Sequence, residues 1–535
     1  MRFRSMAAWA ILAAGTLLAG SAEAFCGFYA GKADASLFNQ ASQVAMARDG
    51  KRTVLTMLND YRGPLKQFVL VVPTPVLLKQ GQISIGDRSV FEHLDAYSSP
   101  RLAEYRDENP CKLEFEWGKS FDPVEMVTVT GVRASLRSSQ VLGVTVESSF
   151  TLGEYDIVML SAQQSNGLEI WLRENGYHIP RGASAALKPY INQGMKFFVA
   201  KVNLKEQTKT GYAGLRPLQF AFESEKFMLP MRLGMLNASP GKPQDLIVYM
   251  MTREGRVESS NYRTIKLPAN MDIPQFVKPK FTDFYKAMFE TEAKREDYRA
   301  VFTEYVWNMN WCDPCASQPL TATELLKAGV FWLDDNPERD FGLMQNGTPP
   351  VPPAANRRNS TLLTRLHLRY TPGTFPEDLM FARVDDDANW QARYIVHEPV
   401  AGSVAACNGS ANAMHCEAIC KERITKILDP AGNAGNLTFP SETANKSESQ
   451  LTSECMDSCR ATKTRAIDAA VQYYTKELPE RAVAEKRNLA ELTGWSMHDI
   501  ESMPGAAGYG GISHVEEQGQ VAADTSWWRR LLNNQ

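Results

Sequence analysis

Four cysteines at two repeated spacings constrain this chain most: Cys416-x3-Cys420 and Cys455-x3-Cys459. An i, i+4 spacing puts both cysteines of a pair on one face of a helix. Two such helices, antiparallel across the polar Gly/Asn/Ser-rich stretch between them, bring Cys416 opposite Cys459 and Cys420 opposite Cys455. A helical hairpin this small buries too little apolar surface to hold itself together, and a double disulfide supplies the missing constraint. The competing reading is a four-cysteine zinc site, which an oxidising compartment disfavours.

The compartment follows from the N-terminus. Arg2 and Arg4 precede the apolar run "AAWAILAAGTLLAG", and "AEA" ends at Ala24. That order predicts a signal peptide over residues 1–24, with cleavage after Ala24 and export to a periplasmic or extracellular location. The run is shorter than the roughly 20 apolar residues of a spanning helix. Phe25 before Cys26 excludes a lipoprotein signal, which needs a small residue there. Cleavage removes two arginines and one glutamate, moving the formal charge from -3 to -4. Nothing in that balance favours a nucleic-acid partner.

All nine cysteines follow the cleavage site, and an odd number leaves one over. Cys26 and Cys111 are the two cysteines in the first 300 residues, so elimination pairs them. Cys312 and Cys315 form a third local pair, and Cys407 is left over, favoured as unpaired, with a dimer-forming thiol or a partner that upsets one of these assignments as alternatives.

The rest of the chain reads as an α+β protein. Residues 25–400 form a β-rich mixed domain with short helices, with a split into two lobes near residue 204 as one option. Residues 401–485 form the helical hairpin, and 486–535 a flexible tail. "TVLTMLND" (Thr53–Asp60), "QFVLVVPTP" (Gln67–Pro75), "EMVTVTGV" (Glu125–Val132) and Tyr155–Leu160 read as strands. Leu168, Trp171 and Leu172 share a helix face, and Ser184–Gln193 forms a second short helix. The strand "MKFFVAKVNL" follows, and antiparallel strands and hairpins run on to "TIKL". Phe281, Phe284, Tyr285, Met288 and Phe289 share another helix face, followed by the strand "AVFTEYVWNMNW".

Several of these segments, in order, resemble a known family. They are "CGFYAGKADASLFNQASQV", "FVLVVPTP", "LGEYDIVMLSA…LEIWLRENGYHIP", "LRPLQFAFESEKFMLPMRLGM", "WCDPC" and "LLTRLHLRYTPGTFPEDLMF". Over roughly residues 25–400 the chain is similar to domain-of-unknown-function family 2330. The resemblance implies an exported bacterial protein and implies no activity.

Three groups are candidates for chemistry. In Trp311-Cys312-Asp313-Pro314-Cys315 the two cysteines stand as in a thioredoxin-like redox pair, which needs its first sulfur at a helix N-terminus. Pro319 follows too closely for that, the next helix is set to begin at Thr321 with a Thr321-x-x-Glu324 capping box, and no basic residue lies within seven positions. A structural Cys312–Cys315 disulfide leads over a redox pair, with metal-bound or free thiols behind. Arg365, His367 and Arg369 share one strand face, as do Arg393 and His397. Paired as a hairpin, the five make a cationic patch for a carboxylate, phosphate or acidic glycan; the plainer reading is a solvated sheet face. His93 and Asp95, with Glu92 beside them, suit a general-base cluster or, more plainly, a capped helix bearing a surface histidine.

The C-terminal Trp527, Trp528, Arg529 and Arg530 suit a membrane interface or a partner groove, or a tail folded back on the body. Metalloprotease, nucleophile-elbow and phosphate-loop motifs do not occur. No cofactor and no metal are expected. The expected role is an exported, envelope-associated binding or interaction protein, non-catalytic. The alternatives are a thiol–disulfide oxidoreductase acting through Cys312 and Cys315, and a hydrolase with a site assembled from distant residues.

Overall fold

The computed structural model describes residues 28–31, 38–62, 68–115, 149–161, 172–173, 176–177, 182–203, 206, 215–237, 243–311, 313, 318–333, 360–428 and 446–507. The expected signal peptide, Cys26, Cys312, Cys315, the strand expected at Glu125–Val132 and the Trp527–Arg530 segment lie outside them, as does most of the helix expected around Leu168; Leu172 is described and buried.

Two sheets face each other. The five-stranded sheet runs Phe28–Gly31, Phe68–Thr74, Lys196–Val202, Tyr155–Ser161, Ser149–Leu152, antiparallel throughout. The nine-stranded sheet has Gln244–Thr252 near its middle, parallel to Phe38–Asp49 on one side and antiparallel to Leu362–Tyr370 on the other. Ala300–Asn308 follows Leu362–Tyr370. Strand alternation sorts the side chains. Leu246, Val248, Met250, Leu366 and Leu368 enter the core between the sheets, together with Leu70, Val72, Ile157 and Phe198. Residues on both sides of position 204 therefore share one core, and the two-lobe option does not describe this body.

The opposite face of the large sheet is also covered. Helix Arg88–Ser98 packs Val90, Phe91 and Leu94 against Tyr249, Met251 and Leu363. Helix Phe281–Arg295 packs Phe284, Met288 and Phe289 against Phe302 and Tyr394. A sheet enclosed on both faces gives the near-continuous apolar runs of the sequence. It also means that a polar residue beneath these helices is buried.

The helical hairpin forms with the pairing its spacing predicts, Cys416–Cys459 and Cys420–Cys455. Two expectations fail here. Cys111 bonds Cys407, across 296 residues, so Cys26 is not its partner and Cys407 is not free. The cause is an arm, residues 107–115, that lies along the helical module. Asp107 meets Arg481, and Phe115 packs on the Cys416 and Cys420 face under the Arg423 guanidinium. Cys111, midway between them, faces Cys407 in the Val404–Ala413 helix. Elimination by distance along the chain did not foresee that contact.

Part of the stretch expected as a flexible tail, 486–535, is folded. Helix Glu448–Gln472 continues through a π-turn, Tyr473–Glu477, into Leu478–Thr493, and ends at Gly494, whose φ of 69° suits a left-handed cap. Leu489, Leu492 and Ile500 are buried against the Phe281–Arg295 helix, so residues 486–507 belong to the folded body. Residues 508–535 lie outside the described part.

Disulfide mapping of the oxidised protein is expected to yield a Cys111–Cys407 crosslinked peptide. A Cys26–Cys111 peptide in its place would contradict this arrangement. Removing the bond by Cys111→Ala with Cys407→Ala is expected to lower stability by about 2–4 kcal/mol in denaturant titration.

Candidate functional site

The expected cationic face does not exist as a surface. Arg393 and His397 lie on Arg393–Glu398, which pairs with Arg101–Arg106 and Met271–Asp272 in a separate parallel sheet and not with Leu362–Tyr370. Arg365, His367 and Arg369 do share one strand face, but helices Arg88–Ser98 and Phe281–Arg295 cover it. Arg365 is 1% exposed and His367 5%.

These side chains instead form a buried ionic network. Arg365 Nε donates to Glu304 Oε2 at 2.6 Å and its Nη1 to Asp95 Oδ1 at 2.6 Å. The Tyr249 ring lies under the guanidinium, 5.3 Å from its carbon. His367 Nδ1 is 2.8 Å from Glu304 Oε1, and the Tyr285 hydroxyl donates to the same carboxylate. Phe289 stacks on the imidazole with ring centroids 3.8 Å apart. One residue pair further along, Arg369 holds both oxygens of Asp245 at 2.7 Å and reaches Glu290 at 2.6 Å.

Burial alone would raise the Glu304 carboxyl, but His367 and Arg365 more than offset that and bring it down to about 2. Burial likewise works against the Arg365 charge, and Tyr249, Asp95 and Glu304 around it hold the guanidinium protonated. Enclosed charges of this kind are tolerable only when each is matched and hydrogen-bonded. The network therefore joins helix Arg88–Ser98, strand Ala300–Asn308, strand Leu362–Tyr370 and helix Phe281–Arg295 at one point.

Sequence reasoning missed its acidic half. Glu304 was legible as a lone acid in the apolar "AVFTEYVW". Asp95 appeared only as the neighbour of His93, and the helix separates the two. Asp95 turns inward to Arg365. His93 turns outward, its Nδ1 2.8 Å from Glu324 Oε1 and its Nε2 2.8 Å from the Gln318 carbonyl. Asp87 caps that helix through the Ser89 amide.

In the Trp-Cys-Asp-Pro-Cys stretch, Asp313 is buried and not helical. It accepts from the Tyr305 hydroxyl at 3.0 Å and from Gln391 Nε2 at 3.2 Å. The Trp307 indole donates to the Trp311 carbonyl at 3.1 Å. The next described helix, Ala322–Lys327, is capped by Thr321 with Glu324 completing the capping box. Asp313 is thus tied to the sheet, while Cys312 and residues 314–317 lie outside the described residues.

A surface groove of about 310 Å³ lies beside the edge strand Ile83–Ile85, lined by Val54, Gln82, Ser84, Gln219, Leu326 and Phe331. Among the described residues, no group of three or more His, Cys, Asp and Glu is placed to hold a metal ion. Nor is any described helix long and apolar enough to cross a membrane.

Glu304→Gln keeps the shape and removes the charge, leaving Arg365 with Asp95 as its one carboxylate and taking the carboxylate from His367 Nδ1. It is expected to cost about 3–5 kcal/mol in chemical denaturation, while Arg106→Ala on the surface stays within about 0.5 kcal/mol. The low folded-state value of Glu304 contributes stability above its unfolded range, about 4.3, and that contribution is lost as pH falls toward 2. The wild-type midpoint is therefore expected to fall over that window, and Glu304→Gln to fall less steeply.

A family model described as an uncharacterized protein conserved in bacteria matches residues 20–382. No curated protein and no solved structure matches the chain. The match spans the buried network described above and more than half of the chain, which belongs to domain-of-unknown-function family 2330.

Proposed function

We propose that the protein is exported and acts in the cell envelope as a binding or interaction protein, not as a catalyst. One observation carries this reading. Among the described residues the richest constellation of ionisable side chains, Arg365, Glu304, His367 and Asp95, is enclosed and paired within itself, with Asp95 Oδ2 and His367 Nε2 buried and without hydrogen-bond partners. Such groups support architecture; they have no access to a substrate. The open concavity presents amide, hydroxyl and apolar side chains instead, with Leu326 45% exposed on its rim. That chemistry suits contact with another macromolecule or a polymer surface. The signal-like residues 1–24 and the three disulfides are compatible with export.

The test is co-sedimentation of the mature, oxidised chain (residues 25–535) with isolated cell-wall and membrane fractions of the envelope. Saturable binding is expected, weakened at least about fivefold by Leu326→Asp, the loss of roughly 1 kcal/mol of interface contact. Removing Trp527–Gln535 is expected to release a membrane-bound share while leaving groove-dependent binding unchanged. Thiol–disulfide exchange that disappears in Cys312→Ser, without saturable binding, would replace this reading with the oxidoreductase.

A further inference from the structure

The junction of the helical module with the β body carries a second ionic cluster, distinct from the buried one. Asp107, just past the Arg101–Arg106 strand, accepts from Arg481 Nη1 at 3.0 Å and Nη2 at 2.6 Å, and from the Tyr473 hydroxyl. His397 stands beside it, with Nδ1 3.6 Å from Asp107 Oδ1 and Nε2 3.3 Å from Asp272 Oδ1. Asp272 is tied to the same C-terminal helix, because Asn488 Nδ2 donates to its main-chain carbonyl at 2.9 Å. Tyr105 stacks on the imidazole, and Arg481 also approaches Glu485 at 3.5 Å. Burial raises the Asp107 carboxyl, but Arg481, Tyr473 and His397 bring it below its ordinary value, so it stays anionic near neutrality.

Both ring nitrogens of His397 therefore face carboxylates. A neutral imidazole has one N–H and serves one of them, while its lone pair confronts the other; an imidazolium serves both. We propose that His397 is an acid-operated clasp between the β body and the Leu478–Thr493 helix. Charged, it bridges Asp107 and Asp272, the two points where the body holds Arg481, Tyr473 and Asn488. Neutral, it leaves one carboxylate against a lone pair, and the helix seat loosens. The fixed charges favour the closed form in acid. Asp107, Asp272 and Glu485 outnumber Arg481, so a positive ring brings the cluster closer to neutrality. Protonation of the ring closes the clasp, and loss of that proton opens it.

The test is hydrogen exchange of the full mature chain with its disulfides intact, following amides of residues 473–493 at about pH 5.5 and about pH 8, corrected for intrinsic exchange. Roughly threefold to fivefold greater protection is expected on the acid side, the effect of one partly exposed ion pair. His397→Gln is expected to remove the difference, and His397→Lys to keep high protection at both pH values. Asp272→Asn, which leaves the Arg481–Asp107 anchor intact, is expected to reduce the difference and supplies the reading if His397→Gln does not fold. Equal wild-type protection at the two pH values overturns the proposal. So does a His397→Gln or Asp272→Asn profile as steep as the wild type's.

Discussion

The contact between Arg365 and Glu304 is the constraint on which the β body depends. A guanidinium and a carboxylate with essentially no solvent exposure are tolerable only because Asp95, His367, Tyr285 and Tyr249 complete their bonding. Together with Arg365 and Glu304, those partners come from two helices and three strands that are distant in sequence. Each element must be in place before the whole network is complete. Apolar packing alone would let the Arg88–Ser98 and Phe281–Arg295 helices slide over the sheet, whereas directional hydrogen bonds at fixed positions hold them in register.

The attachment of the helical module follows a different logic. The arm at 107–115 offers an ion pair at Asp107, a disulfide at Cys111 and an aromatic ring at Phe115. All three anchors lie inside the family-matched span, and their partners Arg481, Cys407 and the Cys416–Cys420 face lie beyond it. The module is thus joined to the body covalently and electrostatically, and its final helix is then sealed by Leu489 and Leu492 on the Phe281–Arg295 helix. The π-turn at Tyr473–Glu477 lies where that long helix passes the arm, with the Tyr473 hydroxyl on Asp107.

Much of the secondary structure was legible because it rests on local rules. Strands Arg52–Arg62, Phe68–Thr74, Tyr155–Ser161 and Ala300–Asn308, and helices Ala183–Asn192 and Phe281–Arg295, stand where apolar periodicity and turn residues put them. The Thr321/Glu324 cap is formed as read. What was not legible is which faces meet. The alternation in "TRLHLRY" established that Arg365, His367 and Arg369 point the same way. It carried no information on whether water or a helix lies over them, and that difference turns a binding patch into a buried network.

The sequence by itself determined the α+β composition, the stapled hairpin and the family, because helix spacing, strand alternation and motif order are properties of short segments. Only the tertiary structure decided that Cys111 joins Cys407, that Asp95 and Glu304 neutralise Arg365, and that His397 lies between Asp107 and Asp272. Each of these contacts joins residues tens to hundreds of positions apart. Their proximity is set by how layers pack over the large sheet, which no local pattern encodes.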